Sequence, residues 1–184
     1  MKSPRTSPAA CCLLAGLVFA AAVALAPFAP ARAQVKGSLS PSPSPATAQR
    51  YGNFTIAWPA SPELVQQQST STQSFAIYKA TAGQIIYIMS FLQFSSPQEQ
   101  VTAQDFARDQ TSSPPGAVIL SSGYTKLAGY TADEVIYRIN TTTYLAWSVQ
   151  PTPEVDYVIQ VSGLDGTALR EGAQKFSASF KAAQ

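Results

Sequence analysis

Hydrophobic and polar positions alternate along much of the chain after residue 50, with the two-residue period that is typical of β-strands. Phe54, Ile56 and Trp58 follow this pattern until Pro59 ends the first run. Thr81-Ala82-Gly83 predicts a hairpin turn. Further strands are predicted at residues 75–78, Gln84–Leu92, Val118–Lys126, Glu134–Ile139, Thr143–Val149 and Tyr157–Ser162. Gln84–Leu92 is apolar on both faces, which predicts a central strand with cover on each side.

Two segments have the pattern of helices. Ser96-Pro97-Gln98-Glu99 is a start signal for a helix that continues toward Asp109, and Pro114-Pro115-Gly116 ends it. The second helix is expected from Asp165 or Thr167 to about Lys181, because four apolar residues recur there at spacings of four, three and four: Leu169, Ala173, Phe176 and Phe180. The sequence therefore predicts an α+β fold, with an antiparallel β-sheet covered by helices and a C-terminal helix packed on the sheet.

The N-terminus has the three-part pattern of a secretory signal. Lys2 and Arg5 precede an apolar run from Cys11 to Ala26, which is shorter than the roughly 20 residues of a spanning helix. Ala31-Arg32-Ala33 predicts cleavage before Gln34. We therefore expect a cleaved signal peptide at residues 1–33, a Pro/Ser-rich disordered linker at 34–50 and a single domain at 51–184.

Cleavage would change both the charge and the cysteine content of the protein. Three of the twelve Lys+Arg residues lie in the signal, so nine would face ten acidic residues, a net charge of −1. A nearly neutral domain gives no electrostatic reason to bind nucleic acid, and no membrane span is expected after cleavage. Both cysteines, Cys11 and Cys12, also lie in the signal, so a cysteine-free mature chain would fold without a disulfide.

The residue types that are missing restrict the chemistry. The chain has no histidine and the expected mature chain has no cysteine, which excludes Ser-His and Cys-His nucleophile systems and the usual zinc and haem ligands. Asp105 and Asp109 are expected on a solvated helix face, and Asp133-Glu134 is expected to cap a turn before a strand. No catalytic residue, metal or cofactor is predicted, and the protein is not expected to be an enzyme. A hydrolase with a carboxylate pair remains open, because distant acids can meet in the fold.

Several aromatic residues occur at strand spacing. Residues of this kind are more often core and cross-strand pairs than ligand contacts. The alternative is a ligand face, for which the candidates are Tyr130, Arg138, Tyr144 and Trp147. Arg138 lies between Tyr137 and Ile139 and is expected to point to solvent or to pair with an acid on a neighbouring strand.

Several short motifs occur in a family-like order. These are the strand ending in Trp58-Pro59, the helix after Ser96-Pro97, Leu127-Ala128-Gly129-Tyr130 and the closing segment Phe176-Ser-Ala-Ser179-Phe180. In this order, over residues 51–184, the chain resembles the PsbP-like superfamily, which includes extrinsic photosystem II proteins and DcrB-like periplasmic proteins. The resemblance implies a C-terminal helix on an antiparallel sheet, and a role in docking and assembly rather than catalysis. It transfers no functional residue, because the histidines that contribute in photosynthetic members have no counterpart here.

These observations together favour an exported, non-enzymatic interaction or assembly module with a protein partner. The compartment would be a periplasm, a thylakoid lumen or the extracellular medium. A protein that binds a small ligand or a glycan is the first alternative. A PsbP-like accessory protein of a photosynthetic complex is the second.

Overall fold

Ten strands and two helices form the part of the chain that the computed structural model describes, residues 48–112 and 114–182. The strands are β1 (Ala48–Tyr51), β2 (Phe54–Ala57), β3 (Glu63–Ser69), β4 (Gln73–Ala82), β5 (Ile85–Phe94), β6 (Ala117–Leu127), β7 (Tyr130–Ile139), β8 (Thr142–Thr152), β9 (Val155–Leu164) and β10 (Lys181–Ala182). The helices are α1 (Ala103–Ser112) and α2 (Thr167–Ala178). The predicted signal peptide, its cleavage residues Ala31, Ala33 and Gln34, and most of the predicted linker lie outside the described residues.

Seven strands form one antiparallel sheet in the order β3-β4-β5-β9-β8-β7-β6. Short connections join most of its neighbours, as in the hairpin where Ala82 pairs with Ile85 and Gly83 turns with a φ of 62°. The predicted antiparallel sheet and C-terminal helix are confirmed. The protein is more sheet-dominated than the predicted α+β class, with two helices against ten strands in the described residues.

The large sheet has two differently covered faces. We call the face that carries Tyr87, Trp147 and Ile159 the front face, and the face that carries Ala146 and Gln160 the back face. On the front, α2 and a small sheet of order β1-β2-β10 bury the larger core. On the back, α1 packs on β6 and β7 over a smaller cluster, which contains Phe106, Ala107, Val135, Tyr137 and Ala146. The central position predicted for the strand at residues 84–92 is confirmed, since β5 lies between β4 and β9.

Some predicted boundaries are corrected. The helix predicted from Ser96 begins at Ala103 instead, with Thr102 as its cap: Thr102 Oγ1 accepts a hydrogen bond from the Asp105 N–H at 3.1 Å and donates one to Asp105 Oδ2 at 2.7 Å. The second helix ends at Ala178 rather than near Lys181. β3 was not predicted, and β1 includes Ala48–Arg50 from the segment assigned to the linker.

Ser179 helps to hold the closing segment against the small sheet. Ser179 Oγ accepts a hydrogen bond from the Ala57 N–H at 3.0 Å and donates one to the Phe176 carbonyl at 2.7 Å. The side chain therefore joins the end of α2 to the end of β2. This contact gives the Phe-x-x-Ser-Phe pattern a structural role.

We expect Ser179→Ala to lower the free energy of unfolding by about 1–2 kcal/mol, because it leaves a partly buried backbone N–H without its partner. Chemical denaturation measures this change. Ser177→Ala is the matched control, since the Ser177 hydroxyl bonds only within α2, to the Gln174 carbonyl, and its loss should change stability by less than about 0.5 kcal/mol. Equal effects for the two variants would contradict the assigned role.

Candidate functional site

Two carboxylates and a hydroxyl meet on the back face of the sheet. Asp133 on β7 lies directly opposite Ser148 on β8, and Ser148 Oγ donates a hydrogen bond of 3.0 Å to Asp156 Oδ1 on β9. Asp133 is 4% exposed, and its Oδ1 has no hydrogen-bond partner among the described residues. We call Asp133, Ser148 and Asp156 the acid cluster.

The environment of the acid cluster favours the protonated carboxyl groups. Burial raises the pKa of Asp133 to about 6. Burial also raises the pKa of Asp156 to about 6, and the nearby charge of Asp133 acts in the same direction, against the lowering effect of hydrogen bonds from Ser148 and from the Tyr157 backbone. The carboxyl groups of Asp133 on β7 and Asp156 on β9, with β8 between them, can hold a proton at a pH where an exposed aspartate has lost it.

The sequence-based expectation for Asp133 is wrong. It lies inside β7 and is buried, whereas a turn cap before a strand was predicted. Asp105, by contrast, lies at the exposed start of α1 as expected, where it forms an ion pair of 2.6 Å with Arg108. A pair of carboxylates therefore does meet in the fold, and it lies on the sheet rather than on a helix.

Further polar groups lie on the back face beside the acid cluster. Gln160 Nε2 donates a hydrogen bond of 2.7 Å to the Tyr137 hydroxyl, while Gln160 Oε1 and Ser90 Oγ have no partner within the described part of the chain. Tyr137 stacks on Tyr144 with ring centroids 4.8 Å apart. Burial raises the pKa of Tyr137 well above its usual range, so this tyrosine keeps its proton.

The front face has a cleft between α2 and strands β6 to β8. Its volume is about 410 Å³, and its walls include Trp147, Glu134 and Arg170. Trp147 Nε1 donates a hydrogen bond of 2.6 Å to Glu134 Oε2, which fixes both side chains. This cleft contains Trp147, one of the candidate ligand residues, and the prediction of a bound small ligand stays a prediction.

The four residues of the predicted ligand face do not lie together. Trp147 lines the front cleft, and Tyr130 lies on the same face, where its ring contacts Phe54 edge-on at 5.8 Å. Arg138 is exposed and lies opposite Thr143 on that face. Tyr144 lies on the back face, because it is an odd number of residues from Trp147 along β8. The structure therefore separates Tyr144 from the other three.

The two edges of the large sheet differ in length and polarity. β3 is a seven-residue edge that contains Glu63 and three glutamines, and it follows Pro62. β6 is an eleven-residue edge whose exposed apolar side chains are Val118, Ile119, Leu120 and Tyr124. A bulge displaces Leu120 from the register with β7. Exposed edges are usually shielded by charges, prolines, bulges or short length, and β6 has one bulge and one charged residue, Lys126.

Neither α1 nor α2 is long and apolar enough to cross a membrane. Within residues 48–112 and 114–182, no three acidic side chains converge in a group that could hold a metal ion.

Comparisons with known proteins identify no family for this chain. No protein-family model matches the chain, and no curated protein matches it in sequence. One similar solved structure is that of a Bacteroides thetaiotaomicron protein, with 9% sequence identity and a TM-score of 0.42. The match covers 78% of this chain, and this chain spans 50% of the length of that protein. Another is LpqN, described as involved in cell envelope biogenesis of Mycobacterium tuberculosis, 13% identical, with a TM-score of 0.42 over 77% of this chain and 87% of LpqN. The PsbP-like resemblance is not confirmed by these comparisons and stays a prediction.

Proposed function

We propose that the protein is an exported, non-enzymatic interaction module that binds a partner protein by adding a strand to the free edge of β6. The observation that carries this proposal is the edge itself: eleven residues, paired on one side with β7 and carrying an apolar surface. An unpaired edge offers a row of backbone donors and acceptors to an extended segment of another protein.

The side chains of β6 favour an apolar partner segment. Val118, Ile119 and Leu120 are each about half exposed, and Tyr124 is 65% exposed. In strand addition the backbone hydrogen bonds supply affinity, while the alternating side chains select the partner. We therefore expect an extended, uncharged segment rich in β-branched or aromatic residues as the occupant.

The compartment in which the protein would bind its partner is inferred from the N-terminal sequence. The apolar run of Cys11–Ala26 and the cleavage pattern at Ala31-Arg32-Ala33 support export. The alanine-rich signal is typical of bacteria, which favours a periplasm over a thylakoid lumen or the medium. The docking partner would then be a protein of that compartment.

Photo-crosslinking tests the edge directly. A photoreactive amino acid at Leu120 on β6 should give a discrete adduct with another protein in the exported fraction, and the same probe at Leu64 on the β3 edge should give none. Leu64 is a matched site, since it is 51% exposed against 47% for Leu120. Val118→Lys should remove the Leu120 adduct, because a charge at the edge opposes strand addition.

Three results would overturn the proposal: no adduct at Leu120, equal adducts at both edges, or an adduct that Val118→Lys leaves unchanged. An adduct of twice the mass of the chain would also overturn it, because it would assign the edge to a second copy instead of a partner.

A further inference from the structure

We propose that the acid cluster is a proton-operated switch that controls how firmly α1 and the segment before it are held on the back face of the sheet. Its geometry is a buried carboxylate, Asp133, with no partner for one oxygen among the described residues, opposite a serine that donates to a second carboxylate, Asp156, on three adjacent strands. This role is independent of strand addition at β6.

The cluster borders the hairpin that holds the segment before α1. Asp156 follows directly on the β8–β9 turn, where the register is irregular between Val149 and Thr152. The Phe94 N–H donates to the Glu154 carbonyl at 2.8 Å, and the Gln98 N–H donates to the Pro153 carbonyl at 2.7 Å. A displacement of Asp156 therefore reaches the segment that leads into α1.

α1 itself is attached by a small contact. Phe106 and Ala107 pack against Val135, Tyr137 and Ala146, whereas α2 belongs to the larger front core. Val135 lies two residues from Asp133 on the same face of β7. Elements with few buried apolar contacts open at the lowest free-energy cost, so α1 is the element that the cluster can release.

Within the described residues, neither Asp133 nor Asp156 forms an ion pair. The charged residues on the elements packed against it are Asp105, Arg108 and Asp109 on α1, Lys126 on β6, Glu134 and Arg138 on β7, and Glu99 and Glu154 in the flanking turns. Arg108 pairs with Asp105, Lys126 Nζ donates to Thr131 Oγ1 at 2.8 Å, and Arg138 lies on the front face. Asp109 is the other acid on α1, and burial raises its pKa. It supplies no positive charge to the acid cluster.

The switch works in one direction. In mildly acidic conditions a proton on the pair leaves at most one negative charge beside Ser148, and α1 stays docked. At neutral pH both carboxylates are charged, and their repulsion and need for water favour displacement of the hairpin and opening of α1. Opening would expose the back of β6 and β7.

Hydrogen exchange of the whole protein tests this switch. We expect the amides of α1 to exchange through a local opening, so their exchange rates should depend little on low concentrations of denaturant. The amides of α2 should exchange only through global unfolding, so their exchange rates should rise with denaturant concentration. After correction for intrinsic rates, α1 protection should fall at least about tenfold between pH 4.5 and pH 7. Asp133→Asn should abolish that fall, and Asp165→Asn, which removes an exposed ion pair with Arg170, should retain it.

Three outcomes would overturn the switch. They are α1 amides with the denaturant dependence of α2, wild-type protection of α1 that is independent of pH, and an Asp133→Asn variant that keeps the wild-type pH dependence. If Asp133→Asn does not fold, Asp156→Asn takes its place, and the wild-type comparison of α1 with α2 decides between local and global opening.

Discussion

Replacing Phe180 by alanine is expected to lower the free energy of unfolding by about 3–5 kcal/mol, the usual cost of deleting a buried phenylalanine. Phe180 is 2% exposed. Its ring stacks on Phe54 at 4.7 Å and meets Tyr157 edge-on at 5.2 Å, so it joins the end of α2 to the small sheet and to β9. The deletion would leave a cavity where three elements converge, and a close-packed core relaxes only partly around such a cavity.

Such a loss would be a large share of the stability of a domain of this size. Chemical denaturation of the two proteins measures the difference, and a thermal scan should show a midpoint lower by roughly 10 °C or more. Leu164→Ala is the control, because Leu164 is 59% exposed and its truncation should cost less than about 0.5 kcal/mol. A cost below about 1 kcal/mol for Phe180→Ala would show that this ring is not a central part of the core.

The sequence predicted the buried strands well because burial is what produces their pattern. β5 and β9 are central, and their apolar residues identified them within two residues at either end. β3 carries no such signal, since every residue from Glu63 to Ser69 is exposed. An edge strand is held by its backbone pairing with β4, and backbone pairing leaves little trace in the choice of side chains.

The start of α1 was mispredicted because the chain contains two start signals in succession. Ser96-Pro97 and Thr102 can each precede a helix, and local rules favoured the first. The segment between them is instead held by the Gln98 N–H bond to the Pro153 carbonyl, a contact across more than fifty residues. No local pattern contains that contact.

The acid cluster was missed for a related reason. Asp133 and Glu134 are adjacent, and a pair of acids between apolar segments is typical of a turn. In the strand they point to opposite faces: Glu134 meets Trp147 on the front, and Asp133 meets Ser148 on the back. The partnership of Asp133 with Asp156 depends on the register of three strands, which a single sequence does not give.

The free energy of unfolding should fall as the pH rises from about 4 to about 6, which is the opposite of the usual contribution of a salt-bridged aspartate. Burial raises the pKa of Asp133 from 3.8 to about 6 in the folded protein. Between these values the folded state holds a proton that the unfolded state has released, so stability falls with pH. A shift of that size corresponds to about 3 kcal/mol for Asp133, which is lost progressively between about pH 4 and about pH 7.

The difference between wild type and Asp133→Asn isolates this contribution from those of other groups. We expect the variant to be less pH-dependent and to be more stable than wild type at pH 7, since an amide at this position needs no proton to remain neutral. Urea denaturation at several pH values between 3.5 and 7.5 measures both curves, with Asp165→Asn as the exposed control. Parallel curves for wild type and Asp133→Asn would mean that Asp133 titrates like an exposed aspartate, and with it the proton-operated switch would lose its chemical basis.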